Sequence, residues 1–168
     1  MTVEGVTPQR SQRLRHRGVS HALRALAVLG LAVDVYVHLK LAPVFDLLGT
    51  QITQGALFRV EAALAAAAAL YLALRDSRRA WLLAGLTATA GLVAILVTRW
   101  VALPALGPLP AMYDPTWSAD KVLVTVGMLV TALAWPVREA LRSDDTGRGG
   151  RQRHRAGGHG VLLRASGW

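Results

Sequence analysis

The residues best suited to chemistry in this sequence are ionisable side chains inside long apolar stretches. Asp34 and His38 lie four residues apart in the first stretch, so on a helix they share one face. The second stretch contains Arg59 and Glu61, and the third ends with Arg99. Because a charged group in hydrocarbon is costly, these residues indicate either a buried ion network or a functional polar site.

The elements that must position these residues are four apolar runs long enough for transmembrane helices. About 20 helical residues cross the hydrocarbon core of a bilayer, and 53% of this chain is hydrophobic, too much for an ordinary soluble protein. The predicted spans are about residues 21–41, 55–74, 80–101 and 119–137. The short connection between the second and third spans makes them antiparallel neighbours. The predicted fold is therefore an all-α four-helix transmembrane bundle, antiparallel up-down-up-down.

Arginine-rich segments flank this bundle. Residues 1–19 form a basic N-terminal segment, residues 20–141 the four-span domain, and residues 142–168 a Gly/Arg-rich tail; both ends are predicted to be disordered. The basic residues concentrate at the two termini and in the connection between the second and third spans. By the positive-inside rule both termini are cytoplasmic, in a multi-pass protein of the cell membrane.

The formal net charge of +9 does not predict nucleic-acid binding. The arginines flank the apolar blocks instead of forming one folded face, and no nucleic-acid recognition motif occurs. The predicted partner is the lipid bilayer. Another membrane protein, or a second copy of the chain, stays open as a further partner.

The connection before the last span is rich in proline. Residues 102–118 contain four prolines, so no regular helix is expected there. We predict a stiff cap over the outer end of the bundle, containing Met112, Tyr113, Asp114 and Trp117. The aromatic residues fit the belt found at membrane interfaces.

The ionisable residues of the spans are predicted to meet in one layer. Counting about 1.5 Å per residue from the outer helix ends places Asp34, Glu61 and Arg59 roughly 6–10 Å deep, with His38 and Arg99 nearer the surface. The formal charges of the two acids and two arginines cancel. We expect Arg59 to reach Asp34 and Glu61 to pair with Arg99.

No enzyme, cofactor or metal site is predicted. The chain has no cysteine, which excludes thiol chemistry and thiolate metal sites. His38 is the only histidine well inside a predicted span, so a bis-histidine haem is not expected, and a copper site built from His38 and Met112 would lack a third ligand. A membrane oxidoreductase subunit is the weaker alternative.

Two segments stand out as family signatures, Asp34–Leu39 (DVYVHL) and Gly107–Pro115 (GPLPAMYDP). In size and span count the chain resembles DoxX-like proteins. Its Ala/Leu/Arg/Gly-rich composition is similar to that of small four-span inner-membrane proteins from bacteria with GC-rich genomes. These resemblances imply the membrane location and the span count, and no activity.

The sequence leaves two functions open. The first is a non-catalytic accessory or assembly subunit whose buried ion network fixes the register of its helices. The second is a small transporter or ligand-binding membrane protein with an outward-facing polar pocket around Asp34. The two differ in whether the Asp34 carboxyl group exchanges a proton.

Overall fold

A computed structural model describes residues 7–48 and 51–160. It contains four helices, which we number α1 (Thr7–Leu41), α2 (Gln54–Leu74), α3 (Arg78–Trp100) and α4 (Ala119–Gly160). Each includes a segment long and apolar enough to cross a membrane, and the described residues form no strand. This confirms the predicted all-α fold with four membrane-spanning helices.

Hydroxyl side chains determine where three of the helices begin. Thr53 accepts a hydrogen bond from the backbone N–H of Ala56 at 3.0 Å, and Ser77 accepts one from Ala80 at 3.2 Å. Ser118 does the same for α4 with the N–H of Lys121, at 3.2 Å. Each hydroxyl satisfies a backbone donor that has no partner inside its own helix.

The first and last helices of the chain, α1 and α4, extend beyond the predicted spans. Disorder was predicted for the basic segments, but α1 begins at Thr7 and α4 continues through Pro136 to Gly160. Extending an existing helix needs no new nucleus, so each added residue gains a hydrogen bond without the initiation cost. Residues 1–6 and 161–168, also predicted to be disordered, lie outside the described residues.

The chain divides into two compact units, Met1–Trp135 and Pro136–Trp168. In the second unit the Arg138 side chain is buried, with Nη1 3.9 Å from Glu139 Oε2. The candidate site lies in the first unit, and all contacts described below belong to that unit.

Small side chains let the helices of the first unit pack closely. One core cluster joins alanines of all four helices to Leu31, Leu72 and Trp81, which are almost fully buried. The indole N–H of Trp81 donates a hydrogen bond to Asp76 Oδ1 at 2.7 Å. In lipid, where apolar side chains compete with equally apolar tails, such close packing stabilises helix pairs.

Helix α1 runs antiparallel to α2 and to α4. Arg24 of α1 donates hydrogen bonds to the carbonyl oxygens of Leu72 and Ala73 at the end of α2. Inside α2 no backbone N–H follows that could donate to these two carbonyl oxygens, so the arginine caps the end of that helix. Thr131 of α4 donates to Ala27 O of α1 at 3.2 Å, and nearer the other end Lys40 contacts Asp120.

Helices α1 and α4 cross at two glycines. A Cβ atom on Gly30 would overlap the carbonyl oxygen of Gly127 and the hydroxyl of Thr131. A Cβ atom on Gly127 would lie 3.0 Å from the carbonyl oxygen of Gly30. The backbones therefore touch, and this crossing lies one turn from Asp34 along α1.

The proline-rich connection folds back on itself. Isolated antiparallel bridges pair Leu103 with Met112 and Leu106 with Leu109, around a turn in which Gly107 has a φ of 59°. Gln54 of α2 donates a hydrogen bond to Ala111 O at 2.7 Å. We call the end of the first unit that carries residues 42–48, 51–53 and 101–118 the hairpin end.

Candidate functional site

Asp34 is the most unusual side chain of the first unit. It is 0% exposed, and neither carboxylate oxygen accepts a well-directed hydrogen bond. His38 Nδ1 lies 2.7 Å from Asp34 Oδ1, which is an ion-pair distance, and 3.0 Å from the backbone oxygen of Asp34. The ring N–H is directed at that backbone oxygen. The carboxylate oxygen Oδ1 is therefore close to Nδ1 but does not accept a well-directed hydrogen bond from it.

Glu61 brings a second carboxyl group to the same place. Its Oε1 atom is buried without a hydrogen-bond partner and would lie 3.2 Å from a Cβ atom built on Gly91 of α3. Met128 of α4 also reaches the space beside Gly91. The missing side chain at Gly91 therefore makes room mainly for the Met128 side chain, with the carboxyl group of Glu61 at the edge of the same space. The charge of this carboxyl group also interacts with those of Asp34 and His38.

We call Asp34, His38 and Glu61 the acidic cluster. Two of its members come from α1 and one from α2, and α3 and α4 contribute the apolar wall through Gly91 and Met128. The shared face of Asp34 and His38 was predicted from their spacing of four residues. Glu61 joins them without the arginine that the sequence analysis assigned to it.

Arg59 does not reach Asp34, so that predicted pairing is wrong. Its guanidinium group donates two hydrogen bonds of 2.6 Å to the two carboxylate oxygens of Asp46, in the connection between α1 and α2. These hydrogen bonds lower the pKa of Asp46 below its usual value. The arginine is half-exposed at the hairpin end, where it can bind a carboxylate without leaving water.

Arg99 does not form the expected ion pair with Glu61. The guanidinium carbon of Arg99 lies 4.7 Å from the centre of the Trp100 ring, a cation–π contact. Among the described residues there is no ion pair between Glu61 and either arginine. The predicted neutral ring of charges is therefore absent from the described part of the bundle, and the acidic cluster is left without an arginine.

The four residues predicted for the cap lie in the connection 101–118. Met112 forms a bridge with Leu103, while Tyr113 and Trp117 are exposed. Lys121 Nζ lies 2.6 Å from Asp114 Oδ2. Partial burial raises the pKa of Asp114, but hydrogen bonds from Lys121 and Thr116 outweigh it and leave the pKa below its usual value. Asp114 thus binds a lysine of α4 and not a member of the acidic cluster.

Sequence reasoning missed two aromatic residues beside the acidic cluster. Phe58 meets the His38 ring edge-on, with ring centroids 5.2 Å apart and an interplanar angle of 86°. Phe45 packs on Phe58 at 5.0 Å. The signal was available in part, because Phe58 and Glu61 are three residues apart and share a helix face. The contribution of Phe45 depends on the path of a connection that periodicity does not predict.

The acidic cluster does not have the arrangement of a metal site. Among the described residues no three His, Cys, Asp or Glu side chains are grouped so that they could hold a metal ion. Comparison with protein-family models, curated proteins and solved structures finds no match. The resemblance to DoxX-like proteins therefore extends no further than size and span count.

The chemistry open to the acidic cluster follows from its charge. With both carboxylates ionised the cluster carries two negative charges, and an imidazolium at His38 can neutralise only one of them. A net charge held away from water is costly, because the low dielectric does not screen it. The cluster is therefore a site at which binding one more proton, or a small cation, removes an uncompensated charge.

Proposed function

We propose that this chain is a small membrane carrier in which the Asp34 carboxyl group binds and releases a proton. The four apolar helices indicate an integral, multi-pass membrane protein. The proposal depends on one observation: the Asp34 carboxyl group is fully buried, and among the described residues no cationic side chain is paired with it apart from the titratable His38. Ionisable residues of this kind inside membrane spans mark ion and proton pathways.

A structural ion network has less support. Such a network needs a permanent cation beside each buried acid, and the two arginines predicted for that role lie elsewhere, Arg59 on Asp46 and Arg99 over Trp100. The accessory or assembly role stays a prediction without an observation that favours it.

The charge of the cluster also favours a class of solute. A site with a deficit of positive charge binds either a proton or a small cation. Because no three His, Cys, Asp or Glu side chains of the described residues are grouped to hold a metal ion, the cation favoured here is an organic one that donates hydrogen bonds and competes with the proton for the Asp34 carboxylate. Competition at one site, combined with access from both sides of the membrane, is sufficient for exchange of a proton for a cation. The proposed carrier therefore moves small cationic solutes against protons.

Exposed basic residues support an orientation with the hairpin end outside. Arg75, Arg78 and Arg79, at the connection between α2 and α3, are exposed. At the hairpin end Lys40, Arg59 and Lys121 each bind a carboxylate. The positive-inside rule then places the arginine-rich end and both termini in the cytoplasm of a cell whose plasma membrane holds the protein.

The proposal can be tested in proteoliposomes with an acidic lumen and an entrapped pH-sensitive dye. Sodium, potassium, methylammonium or guanidinium chloride is added outside, one at a time. We expect at least one of these cations to raise the lumenal pH with the wild-type protein and not with Asp34→Asn. Asp46→Asn is the matched control, because it removes a carboxylate of the hairpin end that already has an arginine partner.

Two results would contradict the proposal. One is a wild-type protein that moves no proton with any of the four cations. The other is an Asp34→Asn variant that moves protons as fast as the wild type.

A further inference from the structure

We infer that His38 relays protons between Asp34 and the hairpin end of the bundle. The inference rests on the proposed role of Asp34 as a proton-binding group. The side chain of Asp34 has no exposed surface, whereas 14% of the His38 side chain is exposed. His38 lies one helical turn closer to the hairpin end.

The geometry joins the two side chains directly. The 2.7 Å between His38 Nδ1 and Asp34 Oδ1 is within the distance over which a proton passes between heavy atoms. The second ring nitrogen, Nε2, lies across the imidazole from Nδ1. The ring therefore has one nitrogen beside the buried carboxylate and a second that can take up a proton from another donor, and both are chemically suited to carry it.

The opposite direction along the bundle offers no comparable route. One turn away from Asp34, the backbones of Gly30 and Gly127 touch, so no side chain and no water fits between them. The hydroxyl of Thr131 is next, and it donates to Ala27 O and Gly127 O of the same crossing. The close α1–α4 contact thus blocks that side of Asp34, whereas the partly exposed His38 offers a route toward the hairpin end.

The proposed transfer balances as follows. The neutral His38 ring carries its proton on Nδ1, as its bond to the Asp34 backbone oxygen requires. A proton from the outer solution binds Nε2, and the ring becomes an imidazolium. A small rotation of the ring turns the Nδ1–H from the Asp34 backbone oxygen to Oδ1, which lies 2.7 Å from Nδ1. The Nδ1–H bond then breaks as an O–H bond forms on Asp34 Oδ1, which leaves a neutral carboxylic acid and a neutral ring protonated on Nε2. Release follows the reverse order.

The surroundings of His38 fit a relay. The other titratable group that faces it from a packed helix is Glu61 of α2, and the edge-on contact with Phe58 restricts the tilt of the ring. On the α3 and α4 side the neighbouring core is apolar, with Ala88, Val124 and Met128. A held ring with an acid on its inner side and restricted exposure on its outer side transfers protons between those two sides.

Time-resolved infrared spectroscopy after a rapid drop in pH tests the relay. The carbonyl stretch of a protonated carboxylic acid reports Asp34, and Asp34→Asn identifies that band by its loss. We expect His38→Gln to slow the rise of the Asp34 band at least tenfold while leaving its final amplitude unchanged. Imidazole added to the solution should restore part of the rate. His21→Gln is the control, since this exposed histidine of α1 lies far from the hairpin end.

Each outcome decides one claim. A wild-type protein in which Asp34 never changes protonation defeats the proposed function and the relay with it. An Asp34 band that rises equally fast in the wild type and in His38→Gln overturns the relay alone. Slowing that imidazole does not relieve also overturns it, because a purely structural role of His38 would have the same signature.

A second measurement covers the case in which His38→Gln does not fold. In a variant whose other four histidines are replaced by glutamine, diethyl pyrocarbonate modifies only His38 after folding. We expect the modified protein to show the same tenfold slowing. An unchanged rate of rise of the Asp34 band, in protein that mass spectrometry shows to be modified, would overturn the relay. Failure of the reagent to modify the His38 ring from solution would also overturn it.

Discussion

The hairpin end and the acidic cluster treat their charges in opposite ways, although they are only a few turns apart. At the hairpin end each carboxylate of the connections and of the start of α4 has a cationic partner: Lys40–Asp120 at 3.0 Å, Arg59–Asp46 at 2.6 Å and Lys121–Asp114 at 2.6 Å. In the acidic cluster, the titratable His38 is the one cationic group that the described part of the chain places beside Asp34 and Glu61.

The difference follows from the cost of dehydration. A lysine or arginine at the hairpin end keeps part of its water while it binds a carboxylate, whereas the same pair inside the bundle would lose nearly all of it. The lysine and arginine side chains therefore pair with the carboxylates at the hairpin end. Asp34 and the half-buried Glu61 have only the titratable His38 beside them among the described residues, which is the basis of the proposed proton binding.

Among the variants that test this comparison, the largest loss in the free energy of unfolding should come from one that separates α1 and α4 beside Asp34. In Gly30→Ala the new methyl group would overlap Gly127 O and Thr131 Oγ1, so the helices must move apart. We expect a loss of about 3 kcal/mol in the free energy of unfolding, the upper part of the range for overpacked cores. Reversible denaturation in mixed micelles measures it.

Gly18→Ala is the matched control, because a Cβ atom on Gly18 meets nothing within 4 Å. Alanine is the better helix former by about 1 kcal/mol, so this variant should be as stable as the wild type or more so. Equal stability of Gly30→Ala and Gly18→Ala would show that the α1–α4 crossing is looser than the structure has it, and that Asp34 is not kept dry by it.

Much of the fold could be predicted from the sequence because hydropathy and helix stops act locally. Four apolar runs gave four helices, and Pro43 and the serine at 118 mark where α1 ends and α4 begins. The extension of α1 back to Thr7 was not predicted, because composition does not show that a helix continues once it has been nucleated by the span.

Less of the candidate site could be predicted. The spacing of Asp34 and His38 brought those two together correctly, and counting residues placed Glu61 at a similar height. Counting residues along a span does not show in which direction around the helix a side chain points. It also does not show where an acidic residue of a connecting segment lies. Asp46 binds Arg59 for that reason, and no periodic signal in the sequence identified it.

At the hairpin end, the strongest effect should follow the loss of Lys121. Its Nζ atom binds the backbone oxygens of Asp114 and Thr116 as well as the Asp114 carboxylate. We expect Lys121→Gln to lower the free energy of unfolding by about 1 kcal/mol and to speed hydrogen exchange at the Asp114 amide. Lys40→Gln, which removes a single exposed ion pair, is the comparison, and a larger loss there would contradict this ranking.

The smallest effect concerns the Arg59–Asp46 pair and appears only in acid. The pair lowers the pKa of Asp46 in the folded state below the unfolded value of about 3.9, so its stabilisation is present above that pH and is lost as the pH falls through the folded pKa. Denaturation measured from pH 6 down to about pH 3 should therefore be less steeply pH-dependent in Arg59→Gln. Arg99→Gln, whose arginine contacts a ring and not an acid, should retain the wild-type slope.

The absence of a permanent cation beside Asp34 is tested most directly by the free energy of unfolding of Asp34→Asn, measured against the wild type at neutral pH. A buried acid with an arginine partner loses about 3–5 kcal/mol when it is replaced, because the arginine is left behind without its counter-charge. An uncompensated acid leaves nothing behind. We predict that Asp34→Asn is at least as stable as the wild type, and a loss of about 3–5 kcal/mol would contradict the account.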